Sequence, residues 1–157
     1  MLAAVVIVAT VVFVSLQGDR PPALDIAAFE AAREQWQQAS YADYTVVVRK
    51  DIDSQATERI KTVVEKNTVK SLAINNRQLP IVDSYTIDGL FEIIERELEM
   101  LEESQKRPGQ PAKTHLSARF DPDTGIPTIF NRLATGGRSY FLTVDSLEVP
   151  GRGVILP

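Results

Sequence analysis

Hydrophobic and polar positions divide this chain into one apolar block and a patterned remainder. Met1 to Leu16 contains no charge, no Pro and no Gly, and the chain turns polar at Gln17-Gly18-Asp19-Arg20. An apolar stretch of that size is a liability when left in water. A spanning helix takes about 20 apolar residues, whereas a secretory signal has an apolar region of about 7–15 and then a small-x-small cleavage site. The block sits where these ranges meet. Neither Leu16-Gln17-Gly18 nor Pro21-Pro22-Ala23 supplies small residues at both cleavage positions, so an uncleaved anchor is the expectation. A cleaved signal and a buried N-terminal element are the alternatives. No Lys or Arg precedes the block, which leaves the positive-inside rule nothing to act on and suggests a start further upstream.

Beyond the block, Pro21-Pro22 reads as part of a short stiff spacer. Asp25 is placed to cap a helix running to about Ser40, with Ile26, Phe29 and Trp36 as its inward stripe. The period then shortens. Tyr44–Lys50, Arg59–Glu65 and Thr68–Ile74 are β-branched and aromatic enough for strands, the last two meeting at a Lys66-Asn67 turn. Thr86 caps a second helix to about Glu103, in which Ile87, Leu90, Phe91, Ile94, Leu98 and Leu101 form one apolar stripe. Its acids are expected on the wet side, with Glu92 pairing Arg96. A loop follows from Gln105 to Lys113. Leu116–Phe120 and Pro127–Leu133 flank the turn Asp121–Gly125, and Ser139–Val144 supplies a further strand after Gly136-Gly137.

This order predicts an α+β fold: an antiparallel sheet of five to six strands with two helices on one face, preceded by an N-terminal hydrophobic helix. The expected organisation is a signal-anchor segment at 1–18, a linker at 19–24, one extracytoplasmic domain at 25–150 and a flexible tail at 151–157. The absence of Cys means that such an exported domain folds on packing alone, and it argues against a lipid-modified N-terminus. The net charge of −4 is unevenly spread, because Asp83–Glu103 carries eight acids against Arg96 alone. Basic residues are dispersed, which argues against nucleic acid as a partner.

Candidate chemistry is sparse. His115 is the single His, at the edge of the Pro-rich loop and without a nucleophile elbow beside it. One His and no Cys leave zinc without its usual ligands. Asp121-Pro122-Asp123-Thr124-Gly125 resembles the start of a calcium loop, but the twelfth position is Arg132 where such a loop needs Glu. A hairpin turn accounts for those residues. Gly136-Gly137-Arg138 opens no helix and so reads as a strand connection. Glu95, Glu99 and Glu102 lie along a solvated helix, away from the burial that acid catalysis needs. No catalytic residue, cofactor or metal site is therefore expected.

From about Trp36 to Val149 the chain resembles a bacterial family catalogued as domain of unknown function 6174. The likeness rests on Trp36 followed by Asp43-Tyr44-Thr45, on Thr86–Ile94, and on Phe120-Asp121 leading to Gly125-Ile126-Pro127-Thr128-Ile129. The resemblance implies an exported or anchored domain and brings no activity with it. Two departures stand out: Arg49–Ser54 lacks the Cys pair frequent in relatives, and Asn131 and Arg132 replace acidic positions after the hairpin.

The expected function is thus a non-enzymatic binding or envelope-assembly module, anchored through residues 2–16 in the cytoplasmic membrane. Its recognition surface is expected on the open sheet face and neighbouring loops, at Asp121, Asp123, Arg132, Arg138 and Tyr140, for an envelope protein or ligand. The alternatives are an enzyme assembled around His115, Asp121 and Asp123, and a purely structural spacer.

Overall fold

A computed structural model describes residues 20–53, 55–82, 85–106 and 113–156. The apolar block at 1–18 and most of the Gln105–Lys113 loop lie outside the described residues. Among the described residues, no helix is long and apolar enough to cross a membrane.

The order of elements is α1 (Ile26–Ala39), β1 (Tyr44–Ile52), β2 (Glu58–Glu65), β3 (Thr68–Ile74), β4 (Arg77–Gln78), α2 (Ile87–Gln105), β5 (Thr114–Phe120), β6 (Pro127–Ala134), β7 (Tyr140–Val149) and β8 (Gly153–Leu156). The strands form one antiparallel sheet in the order β4-β3-β2-β1-β7-β6-β5, with β8 beside β7. The α+β class is as the patterning indicates, but the sheet has eight strands where five to six were expected. Two additions explain the difference. Asn75 and Asn76 take left-handed φ values of 50° and 65° and fold two residues back as β4. Gly153–Leu156, in the tail that shows no period, pairs with the second half of β7. That half exists because the strand continues past a bulge opposite Val47/Val48 and reaches Val149.

Both helices begin where their caps dictate. Ala28 N–H donates to the Asp25 carboxylate at 3.3 Å, and Gly89 N–H to the Thr86 hydroxyl at 2.9 Å. The helices cover one face of the sheet. Alternation in the strands turns Tyr44, Val46, Val48, Ile60, Leu142 and Val144 toward them. Phe29 of α1 meets Phe91 of α2 edge-on at 5.9 Å, and Phe91 stacks on Phe120 at 6.3 Å. Trp36 packs against Tyr44 at 5.6 Å and donates its ring N–H to Asp88 at 2.9 Å, so the single Trp ties both helices to the sheet.

Several local expectations are corrected. The inward stripe of α1 is Phe29, Ala32 and Trp36; Ile26, in the first turn and on the flank of that stripe, stays 60% exposed. The acids of α2 are not all outside, because Glu97 is only 8% exposed. Ten residues after Ile87, it falls on the same helical flank as Leu90. Arg33 of α1 takes Glu95 at 2.8 Å, and among the described residues Glu92 and Arg96 form no ion pair. The linker is not simply a spacer: Leu24 N–H donates to Leu116 O and Ala118 N–H to Pro22 O, which covers part of the β5 edge.

The turn Asp121–Gly125 docks on α1. Gln35 donates to the Pro122 carbonyl at 2.8 Å, and Gly125 adopts φ +75° directly against the helix backbone at Ala32. A Cβ on Gly125 would collide with the Ala32 carbonyl oxygen, at a backbone angle L side chains avoid. Gly125→Ala is therefore expected to destabilise the fold by about 2 kcal/mol or more. Urea unfolding measures this, and a midpoint equal to wild type would show that the close approach does not exist.

Candidate functional site

One end of the helix-covered face is built differently from the rest. Along β1 the inward positions run Val46, Val48, Lys50, Ile52, so the apolar alternation is interrupted by a cation. Opposite, β7 contributes Tyr140 across from Ile52 and Leu142 across from Lys50. With Tyr85 before α2, Ile93, Arg96 and Glu97 on α2, and Arg138 in the β6–β7 turn, these residues line a cleft of about 250 Å³.

Glu97 is the centre of this end. A carboxylate removed from water needs compensating donors, and two reach it: Arg132 Nε at 2.7 Å and the Tyr140 hydroxyl at 2.9 Å. Arg132 and Tyr140 are cross-strand partners on β6 and β7, so sheet register delivers both to one carboxylate. Arg132 also donates to the Arg138 carbonyl oxygen, and Ser139 N–H donates to Asp53 at 3.1 Å. The turn carrying Arg138 is thereby tied to β6 and to the end of β1. Lys50 Nζ donates to the Tyr85 hydroxyl at 2.8 Å and lies 3.4 Å from Glu58.

These contacts alter proton affinities. Burial, then the charge and hydrogen bond of Glu97, push the Tyr140 hydroxyl far above its ordinary value of 10, while Arg132 pulls the other way. Burial pulls Lys50 down, but the Tyr85 hydrogen bond and the Glu58 carboxylate outweigh it and leave the ammonium above its usual range. In the apolar core, burial pushes Tyr44 up to about 12, against the lowering effect of the Ile87 N–H that it accepts at 3.3 Å.

Of the five residues expected at a recognition surface, Arg132, Arg138 and Tyr140 come together here. Arg132 and Tyr140 face α2, not the open side of the sheet. Asp121 and Asp123 do not join them. They sit beyond the other end of β6, level with Ile126 and so six extended residues or roughly 20 Å from Arg132, where Asp121 accepts the Thr124 hydroxyl at 2.8 Å within its own turn. Exposed His115 is the second residue of β5 and Asp121 follows its end, a separation of roughly 20 Å along the strand. Among the described residues, no group of three or more His, Cys, Asp or Glu is placed to hold a metal. Chemically the cleft offers cations, phenols and an apolar floor, which suit binding. The residues that patterning missed are Lys50, Tyr85, Arg96 and Glu97; the one signal, a charge at an inward position of β1, becomes readable once the burial phase of that strand is known.

A family model described as "Family of unknown function (DUF6174)" matches residues 28–131. The matched span contains Lys50, Ile52, Tyr85, Ile93, Arg96 and Glu97, and ends before Arg132, Arg138 and Tyr140. No curated protein and no solved structure matches the chain.

Raised tyrosine pKa values set the sign of a pH effect. Above pH of about 10 the unfolded chain releases phenol protons that the folded chain keeps, so the folded state loses stability as pH rises. The urea midpoint is expected to fall between pH 9 and pH 11. Tyr140→Phe, which cannot ionise, is expected to fall less steeply. An identical slope in the variant would show that Tyr140 is not held neutral by this site.

Proposed function

The chain belongs to the DUF6174 family, and from that premise we propose that it is a membrane-anchored extracytoplasmic domain acting as a non-enzymatic binding module. The cleft between α2 and the start of β7 is its recognition site. One observation carries the binding reading. The buried carboxylate of the cleft, Glu97, is held by two donors, while Arg96 and Arg138 at the same cleft have no side-chain partner among the described residues. A carboxylate held by an arginine and a phenol is committed to structure, and cations that no described residue pairs on a rigid scaffold are available to a ligand.

The anchored reading is supported by the uncharged run Met1–Leu16 followed by Pro21-Pro22. Lipid bilayer is then the partner of residues 2–16, and the domain stands on the extracytoplasmic side. Docking of Pro22–Leu24 on the β5 edge would hold the domain close to its tether.

Expressed with its natural upstream region, the protein is expected to fractionate with membranes at full length. Protease added outside the cytoplasm should release the folded domain. A shortened soluble product in the medium or periplasm would contradict the anchor and make this a secreted domain acting on diffusible ligands.

A further inference from the structure

Among the described residues, the charges around the cleft do not cancel. Lys50 is matched by Glu58 at 3.4 Å, and Glu97 by Arg132 at 2.7 Å. Arg96 and Arg138 are exposed, line the same cleft and pair with no carboxylate among the described residues. This surplus of two guanidinium groups arises in a chain whose net charge is −4. Beneath them the floor is apolar: Ile52 and Leu142 are buried and Ile93 half-buried. The Tyr140 and Tyr85 hydroxyls are already engaged, with Glu97 at 2.9 Å and Lys50 at 2.8 Å, so the unspent polar capacity at the rim is cationic.

We propose that the cleft binds an anionic amphiphile, with an oxyanion held by Arg96 and Arg138 and a short apolar chain laid on Ile52, Ile93 and Leu142. This rests on the reading of the cleft as a recognition site and adds the ligand class to it. A planar guanidinium offers paired N–H donors that match carboxylate and phosphate oxygens, and such charge-assisted contacts are the stronger hydrogen bonds. A volume of about 250 Å³ fits a headgroup with a few carbons, not an extended lipid or a peptide. A diffusible acyl or alkyl anion and a lipid headgroup in the anchoring membrane share this chemistry.

The test uses the full chain reconstituted in zwitterionic nanodiscs and titrated calorimetrically with butyl phosphate, pentanoate and butanol. At least one of the two anions is expected to bind saturably, and butanol far more weakly. Arg96→Ala/Arg138→Ala changes two exposed side chains outside the core. It is expected to weaken the anion by about 100-fold, or about tenfold for each guanidinium. Replacing part of the lipid by phosphatidylglycerol distinguishes the sources. A lower apparent affinity for the soluble anion assigns the site to lipid headgroups, and an unchanged one assigns it to diffusible ligands. Butanol binding as tightly as the anions, equally in the double variant, would overturn the anion assignment and leave the binding module standing. Failure of all three probes to bind would overturn both.

Discussion

A carboxylate buried beneath a helix must be satisfied or the helix cannot lie there, and Glu97 imposes that condition on this fold. Its two donors come from adjacent strands, Arg132 at 2.7 Å and Tyr140 at 2.9 Å, so α2 is tied to β6 and β7 at one height. Taking either partner away would leave a charge in poor solvation, which costs far more than the pair contributes when intact. The same arginine donates to the Arg138 carbonyl, and Ser139 in that turn donates to Asp53. One charge thus organises a helix, two strands, a turn and the end of β1, and these are the walls of the cleft.

The opposite end of the helical layer is held by different physics. There Trp36, Tyr44, Phe29, Phe91 and Phe120 interlock, with polar contacts that include the Asp25 and Thr86 caps, the Trp36–Asp88 hydrogen bond and the Ile87 N–H to Tyr44 hydroxyl bond. Gly125 lets the β5–β6 turn close against α1 without a side chain between them. Apolar packing closes that end, whereas a polar network leaves the other end open. Function is accordingly proposed at the end where burial is incomplete and where Arg96 and Arg138 have no side-chain partner among the described residues.

Features set by local chemistry were legible in the sequence. Asp25 and Thr86 announce helices because an N-cap needs only its own next turn. Lys66-Asn67 announces a hairpin because both residues accept positive φ, here 51° and 59°. What escaped depends on tertiary neighbours. Ile26 is exposed because no described residue covers it in the first turn of α1, and β8 forms because β7 runs on past its bulge. Glu97 reads as one solvated acid among eight until Arg132 and Tyr140 are placed beneath it. Part of the proposed cleft was legible, in that Arg132, Arg138 and Tyr140 come together around Glu97 and the turn beside it. Asp121 and Asp123 do not join them because the two loops, successive in sequence, lie at opposite ends of β6. Lys50 was readable as an inward charge only once the strand's burial phase was known.

A double-mutant cycle on Glu97 and Arg132, using Glu97→Gln and Arg132→Met in urea unfolding, measures the central claim directly. If one buried pair organises this end of the protein, the two substitutions are expected to be non-additive by about 2 kcal/mol or more. Effects that add to within about 0.5 kcal/mol would contradict the account, because the two residues would then be independent and the cleft would have no common support.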